Sequence, residues 1–314
     1  MLTRRLVLGA AFLAGAGLCA LAQDGSKVEL KVRPAADAVV PYRVALTIVQ
    51  SMEMMGQPHE TKIERTEEFD CKVLSVEPDG SVKLEVKYGA IKGKMDVPMM
   101  GEVAFDSTKP DDPDVNPMIA PTLKSMTEKA GKTYPITVSA QGEVTSGDTK
   151  AVGRHPVFLF PLPKGPVDVG GAWEAVRERS MGQRKAFARG KCTLARSEGG
   201  VAELSFAGNL EEEAAKKDEA KKDAEKKDEA KKEAAAEEGG DDPSKSISAP
   251  KGTLKTAMKL DVATGMAVES TDETDLKITM PNPQTGESLD ITVKAKSKLE
   301  RRKPEAPKAG EEKK

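Results

Sequence analysis

The chain is poor in the residues from which active sites are usually built. It has two histidines, one tryptophan, three tyrosines and three cysteines in 314 residues, and aromatics make up only 4%. His59 and His155 stand in no Gly-x-Ser-x-Gly elbow or His-Glu-x-x-His helix, and no glycine-rich phosphate loop is present. The expectation is a protein that is not an enzyme and needs no cofactor. Scarce aromatics argue against a carbohydrate platform or a single-stranded nucleic-acid groove, since both rely on exposed stacking rings. A formal net charge of −2 gives no electrostatic reason to bind nucleic acid or an anionic membrane.

Long hydrophobic runs are also scarce. Leu6 to Leu18 is apolar but too short to span a bilayer comfortably, and Arg4 and Arg5 precede it. Ala20-Leu21-Ala22 supplies the small residues that signal peptidase needs, so residues 1–22 read as a signal peptide cleaved before Gln23. This order predicts export to the periplasm or beyond, with the general secretory and twin-arginine routes both open. Cys19 follows Leu18 where a lipid-attachment site wants a small residue, so no lipid anchor is expected. No other segment is long and apolar enough to be a transmembrane helix. Cys71 and Cys192 remain after cleavage, and a disulfide between them or two buried thiols are both open.

What the chain does have is alternation. Tyr42, Val44, Leu46 and Ile48 fall on one face of an extended segment. Val82, Leu84, Val86 and Tyr88 do the same against Lys83, Glu85 and Lys87. The turn Pro78-Asp79-Gly80 joins this second run to Phe69–Val76, which predicts a hairpin. Further strands are expected at 102–105, 134–140, 201–206, 254–262, in part of 266–280, and at 289–299. One helix is expected near 117–130, with Pro117 at its start, Met118, Ile119, Leu123 and Met126 on one face, and Gly131 at its stop.

The fold expected is mainly β, with two similar antiparallel halves, half-barrel-like, one short packed helix and a long charged helical insertion. Cys71 and Cys192 each begin a strand leading to a glycine turn and a second strand, which suggests the likeness of the halves. The N-terminal half covers 23–152, a proline-rich crossover 153–173, and the C-terminal half 174–210 with 250–302. Prolines keep the crossover out of a central strand, and Trp173 is expected to anchor the second half.

Residues 211–249 are of low complexity, with a five-residue unit repeating at Lys216, Lys221, Lys226 and Lys231. Successive units rotate ~140° around a helix and build no apolar stripe, while pairs such as Glu213–Lys217 add ~0.2–0.5 kcal/mol each. A solvated helix is expected, serving as a spacer or as a tolerated expansion. The tail, 303–314, is expected to be disordered.

Tyr42-Arg43, Phe105-Asp106-Ser107, Gly131-Lys132-Thr133-Tyr134 with Gly142, and Leu162-Pro163 through Trp173-Glu174 together resemble the motifs of an uncharacterised group of exported bacterial proteins. The resemblance covers most of the chain outside the charged insert. It implies export and a β-rich fold, and implies no active site. At the level of fold alone, the strand order is similar to that of curved half-barrel carriers of lipoproteins and lipids.

Local chemistry leaves few site candidates. Met52, Met54 and Met55 precede His59, and Met99-Met100 follow Pro98. Methionines fill irregular apolar gaps or contact a lipid or partner. Thioethers with an imidazole, here Met54 and His59, also suit Cu(I). Asp112-x-Asp114-x-Asn116 begins like a calcium loop, but Pro117 replaces the turn glycine and Leu123 the closing acid, so no calcium site is expected. The leading expectation is a non-enzymatic exported protein binding an apolar ligand or an envelope partner. A scaffold using the charged arm as spacer and a copper-handling protein are the alternatives.

Overall fold

A computed structural model describes residues 27–54, 57–109, 116–147, 158–181, 184–212, 250–281 and 288–303. Among these described residues, twelve strands and one helix follow in chain order. They are β1 (Val39–Met54), β2 (Gln57–Val76), β3 (Val82–Val97), β4 (Gly101–Asp106), α1 (Ala120–Thr127), β5 (Thr133–Val138), β6 (Val144–Gly147), β7 (Ala172–Met181), β8 (Arg184–Glu198), β9 (Val201–Glu212), β10 (Lys251–Asp261), β11 (Ala267–Pro281) and β12 (Ser288–Arg301). The mainly β expectation holds. Instead of two separate half-sheets, however, all twelve strands form one antiparallel sheet in the order β6-β5-β3-β2-β1-β12-β11-β10-β9-β8-β7, with β4 also paired to β3. The halves join where β1 pairs with β12, from Tyr42 opposite Arg301 to Met52 opposite Ile291.

Cross-strand chemistry explains the register. On the outer face basic and acidic strands alternate, with Lys255 and Lys259 of β10 opposite Glu273 and Glu269 of β11, and Lys296 of β12 opposite Glu273. Lys296 Nζ lies 2.9 Å from Glu273, and Lys259 Nζ 3.2 Å from Glu269. Each exposed pair contributes little, about 0–1 kcal/mol. A one-residue slip would turn the apolar face outward, so the pattern selects one register.

The inner face carries the core. At one end of the sheet, Tyr42, Phe69, Cys71, Leu84, Val86, Cys192, Leu194, Phe206 and Leu260 form one buried cluster with Leu30, Val32, Phe158, Phe160 and Leu162. The last five belong to two irregular segments laid across the sheet, residues 28–33 and the crossover 158–163. These segments are tied to the turns at that end. Val32 N donates to Ala140 O, Arg33 N to Thr264 O and Leu162 N to Gln141 O. Val28 bridges Val167. Gly265, at φ +67°, is where the first segment comes closest: a Cβ there would lie 2.0 Å from Lys31 O, so no other residue fits. Trp173 anchors the second half as expected, donating from Nε1 to Pro161 O at 3.0 Å.

The sheet is rolled in its C-terminal half. Arg177, on the edge strand β7, donates to Thr256 on β10 and reaches Asp272 on β11 at 3.1 Å. In a flat sheet β7 and β11 would stand about 19 Å apart, at roughly 4.8 Å per strand, far beyond a side chain's reach. Small inner-face residues (Ala175, Ala186, Ala188, Gly190 and Gly208) leave room for that roll.

Several local expectations are corrected. The helix is Ala120–Thr127 rather than 117–130, with Ile119 as its N-cap and a proline, Pro121, in its first turn. Pro117 lies a turn earlier, where the Asn116 side chain accepts from Met118 N. β9 runs through Glu212, so Glu211 and Glu212 belong to a strand and not to the charged insert. The rest of that insert, the signal peptide, His155 and Met55 lie outside the described residues. Among the described residues no helix is long and apolar enough to cross a membrane.

Candidate apolar ligand site

Beyond the two covering segments, the inner face continues toward the opposite end without them. Register places Leu46 opposite Arg65 and Ser297, Ile48 opposite Ile63 and Ala295, and Met52 opposite His59 and Ile291. One strand further, Val293 faces Leu276, Ile291 faces Ile278 and Leu289 faces Met280. Leu46, Ile48, Met52, Ile63, Ile278, Met280, Leu289 and Val293 are all half-buried, while Leu276 and Ile291 are buried. Four adjacent strands, β2, β1, β12 and β11, thus present an apolar surface that is neither sealed nor fully wet, interrupted by Gln50, His59, Thr61 and Arg65. Burying one such side chain completely is worth ~1.5–3 kcal/mol relative to exposure, so leaving them half-covered is costly unless something lies on them.

On its N-terminal side this surface meets α1. Ile119 and Leu123 of the helix pack on Ile91, Met95 and Phe105, with Ile63, Val97 and Val103 partly buried against them. Ile63 therefore belongs to both the helix-capped cluster and the open face. Between α1 and β4 lies a concave space of about 1090 Å³, floored by Phe105, Ala120 and Leu123 and rimmed by Lys92, Lys109 and Lys124. That volume lies just above the usual range for ligand pockets, ~300–1,000 Å³. Asp106, at its edge, accepts from the Thr108 hydroxyl at 2.6 Å and lies 3.2 Å from Lys92. The hydrogen bonds from Thr108, assisted by Lys92, hold its carboxyl down at about 2.

The methionine candidates separate in the structure. Met52 is half-buried on the inner face opposite His59 and joins the apolar surface. Met54 ends β1 opposite Gln57, its side chain outside the described residues. Met99 and Met100 sit in the turn between β3 and β4, 100% and 39% exposed. Among the described residues no group of three His, Cys, Asp or Glu could hold a metal. Cys71 and Cys192 are free buried thiols, six steps apart in the strand order on β2 and β8, so the structure gives two thiols and no disulfide. Burial pushes each thiol up to about 12.

Sequence reasoning missed the β11–β12 part of the surface, Ile278, Met280, Leu289 and Val293, as a site. Their alternation was visible, but which apolar strand faces remain uncovered depends on where the crossover lies.

No family model matches the chain, and no curated protein matches it either. Solved structures supply the likenesses. The chain is similar to a structure described as lipid–protein interactions in lipovitellin, at 10% identity and a TM-score of 0.46, covering 88% of this chain and 26% of that one. It thus spans about a quarter of the length of that protein. It is also similar to a DUF1329 family protein from Desulfovibrio piger (8% identity, 84% and 87% of the two chains, TM-score 0.17). A third is a putative outer membrane lipoprotein-sorting protein domain from Vibrio parahaemolyticus (8% identity, 86% and 87%, TM-score 0.13). None of the scores reaches 0.5, and what each of those proteins binds is its own property.

Proposed function

We propose that this protein is an exported, non-enzymatic carrier that holds the apolar chain of a lipid or lipid-modified molecule against the open part of its inner face. The observation that carries this reading is the contrast along one sheet face. One end is sealed by Leu30, Val32, Phe158 and Phe160, while Leu46, Ile48, Met52, Met280 and Leu289 toward the other stay outside that cluster and only half-buried. An aliphatic surface without aromatic platforms suits flexible acyl chains, which need contact area rather than directed hydrogen bonds. The signal-like N-terminus supports an envelope setting, where such chains require shielding from water. Solvent extraction and mass spectrometry of the purified mature chain test the reading. Near-stoichiometric acyl lipid is the expected result. Protein that carries no lipid, and takes none up from vesicles, would oppose it.

A further inference from the structure

Three methionines at the edge of the open end stand out from the rest of the surface. Met99 is fully exposed and Met118 82% exposed, with Met100 beside them at 39%. They come from two turns, the β3–β4 connection and the segment leading into α1. Asn116 fastens these turns together: its Nδ2 donates to Met100 Sδ at 3.4 Å, and its Oδ1 accepts from Met118 N at 2.9 Å. Met99 also has φ +66°, a left-handed position that turns normally give to glycine or asparagine. An apolar side chain is thus displayed at a backbone position that disfavours it.

The patch continues the apolar face described above. Val97 and Val103, which flank the β3–β4 turn, pack against the cluster that holds Met95 and Ile119, and through Ile63 that cluster meets Ile48. We propose that this methionine tip is a membrane-docking element, by which the protein touches a bilayer surface to load or release the apolar chain. The inference rests on the carrier reading. A bilayer is favoured over a protein partner because the side chains protrude. A fully exposed methionine has no surrounding shell to exclude water from a protein–protein contact, whereas a fluid bilayer closes around an inserted side chain. Methionine's unbranched, flexible chain suits such a deformable partner. Lys94 pairs with Glu102 at 2.8 Å next to the turn and Asp96 stands opposite Glu102, so these residues form no basic patch and binding should not depend on anionic lipid.

The test uses the mature full-length chain, uncharged phosphatidylcholine vesicles and two readouts. Met99→Asp combined with Met118→Asp changes only exposed side chains. Flotation with vesicles should fall at least tenfold in this variant, and transfer of a fluorescent fatty acid from vesicles to protein should slow correspondingly. Binding of the same fatty acid in vesicle-free solution should stay within twofold of wild type. If wild type does not float, or the variant floats equally well, the docking proposal is overturned. Flotation only with vesicles carrying a membrane protein would overturn it too, assigning the tip to a protein partner. Flotation of wild type that the variant loses, without fatty-acid binding by either, would uphold the tip and sink the carrier reading instead.

Discussion

Asp272 Oδ1 accepts from both Arg177 Nη1, at 3.1 Å, and Thr256 Oγ1, at 2.5 Å, in a site where Arg177 is 1% and Asp272 5% exposed. The guanidinium also lies over Phe160 and Phe206, 5.9 and 5.7 Å from their ring centroids. One edge-strand arginine therefore fastens β7 to β10, β11 and the crossover together. Removing either charge strands the other in a buried site, which typically costs ~3–5 kcal/mol. Arg177→Ala and Asp272→Ala are each expected to lower unfolding stability by that order in urea titrations. Arg177→Met with Asp272→Leu should recover most of the loss, because it removes both charges while keeping volume.

The roll needs glycine where β8 and β9 approach. A Cβ at Gly190 would lie 2.0 Å from Ala207 O and 2.4 Å from Gly208 Cα, whereas one at Gly199 meets nothing within 4 Å. Gly190→Ala should cost ~1–3 kcal/mol or more by overpacking. Gly199→Ala should cost only the ~1–2 kcal/mol of a non-glycine residue at positive φ. Thermal unfolding of the two variants checks the ranking, and equal losses would argue against the tight approach.

Much of this architecture could be read from the chain. The runs at Tyr42–Ile48, Val82–Tyr88 and Leu254–Leu260 alternate cleanly because one side is buried and the other wet, and all three are strands. The first half of β2 and all of β7 were not legible. Their inward positions include His59, Thr61, Arg65 and Glu67 on one strand and Arg177 on the other, so the period-two hydrophobic signal is missing. Arg65 and Glu67 are tolerated inside because they pair with each other, and Arg177 because it pairs across the roll, a long-range fact that no local window contains. The site was legible only in its methionines. The crossover was read as keeping out of the sheet, but its course over the inner face, which decides what stays open, follows from tertiary packing.

Cys71 and Cys192 should resist modification in the folded protein. Burial raises both thiols to about 12, leaving almost no thiolate at pH 8. Ellman's reagent is expected to react with neither until denaturant is added, and then with both. Rapid labelling of the native protein would contradict their placement in the core.

The Asp106 turn sets a pH window at the mouth of the α1 cleft. Its folded carboxyl titrates near 2, below the ordinary 3.8, through hydrogen bonds from Thr108. A depressed acid stabilises above its unfolded value and loses that contribution as pH falls through the folded one. Amide protection of Thr108, whose N donates to Asp106 at 2.9 Å, should hold above about pH 4 and decline toward pH 2. Asp106→Asn should abolish this dependence.

The open inner face is tested most directly by titrating a fluorescent long-chain fatty acid into three forms of the mature protein. These are wild type, Ile48→Asp with Val293→Asp on the inner face, and Thr47→Asp one residue away on the outer face. Wild type and Thr47→Asp should bind alike, and the inner-face double variant should lose at least tenfold in affinity, about 1.4 kcal/mol. An inner-face variant that binds as tightly as wild type, or a wild type that does not bind, would contradict a carrier built on this surface.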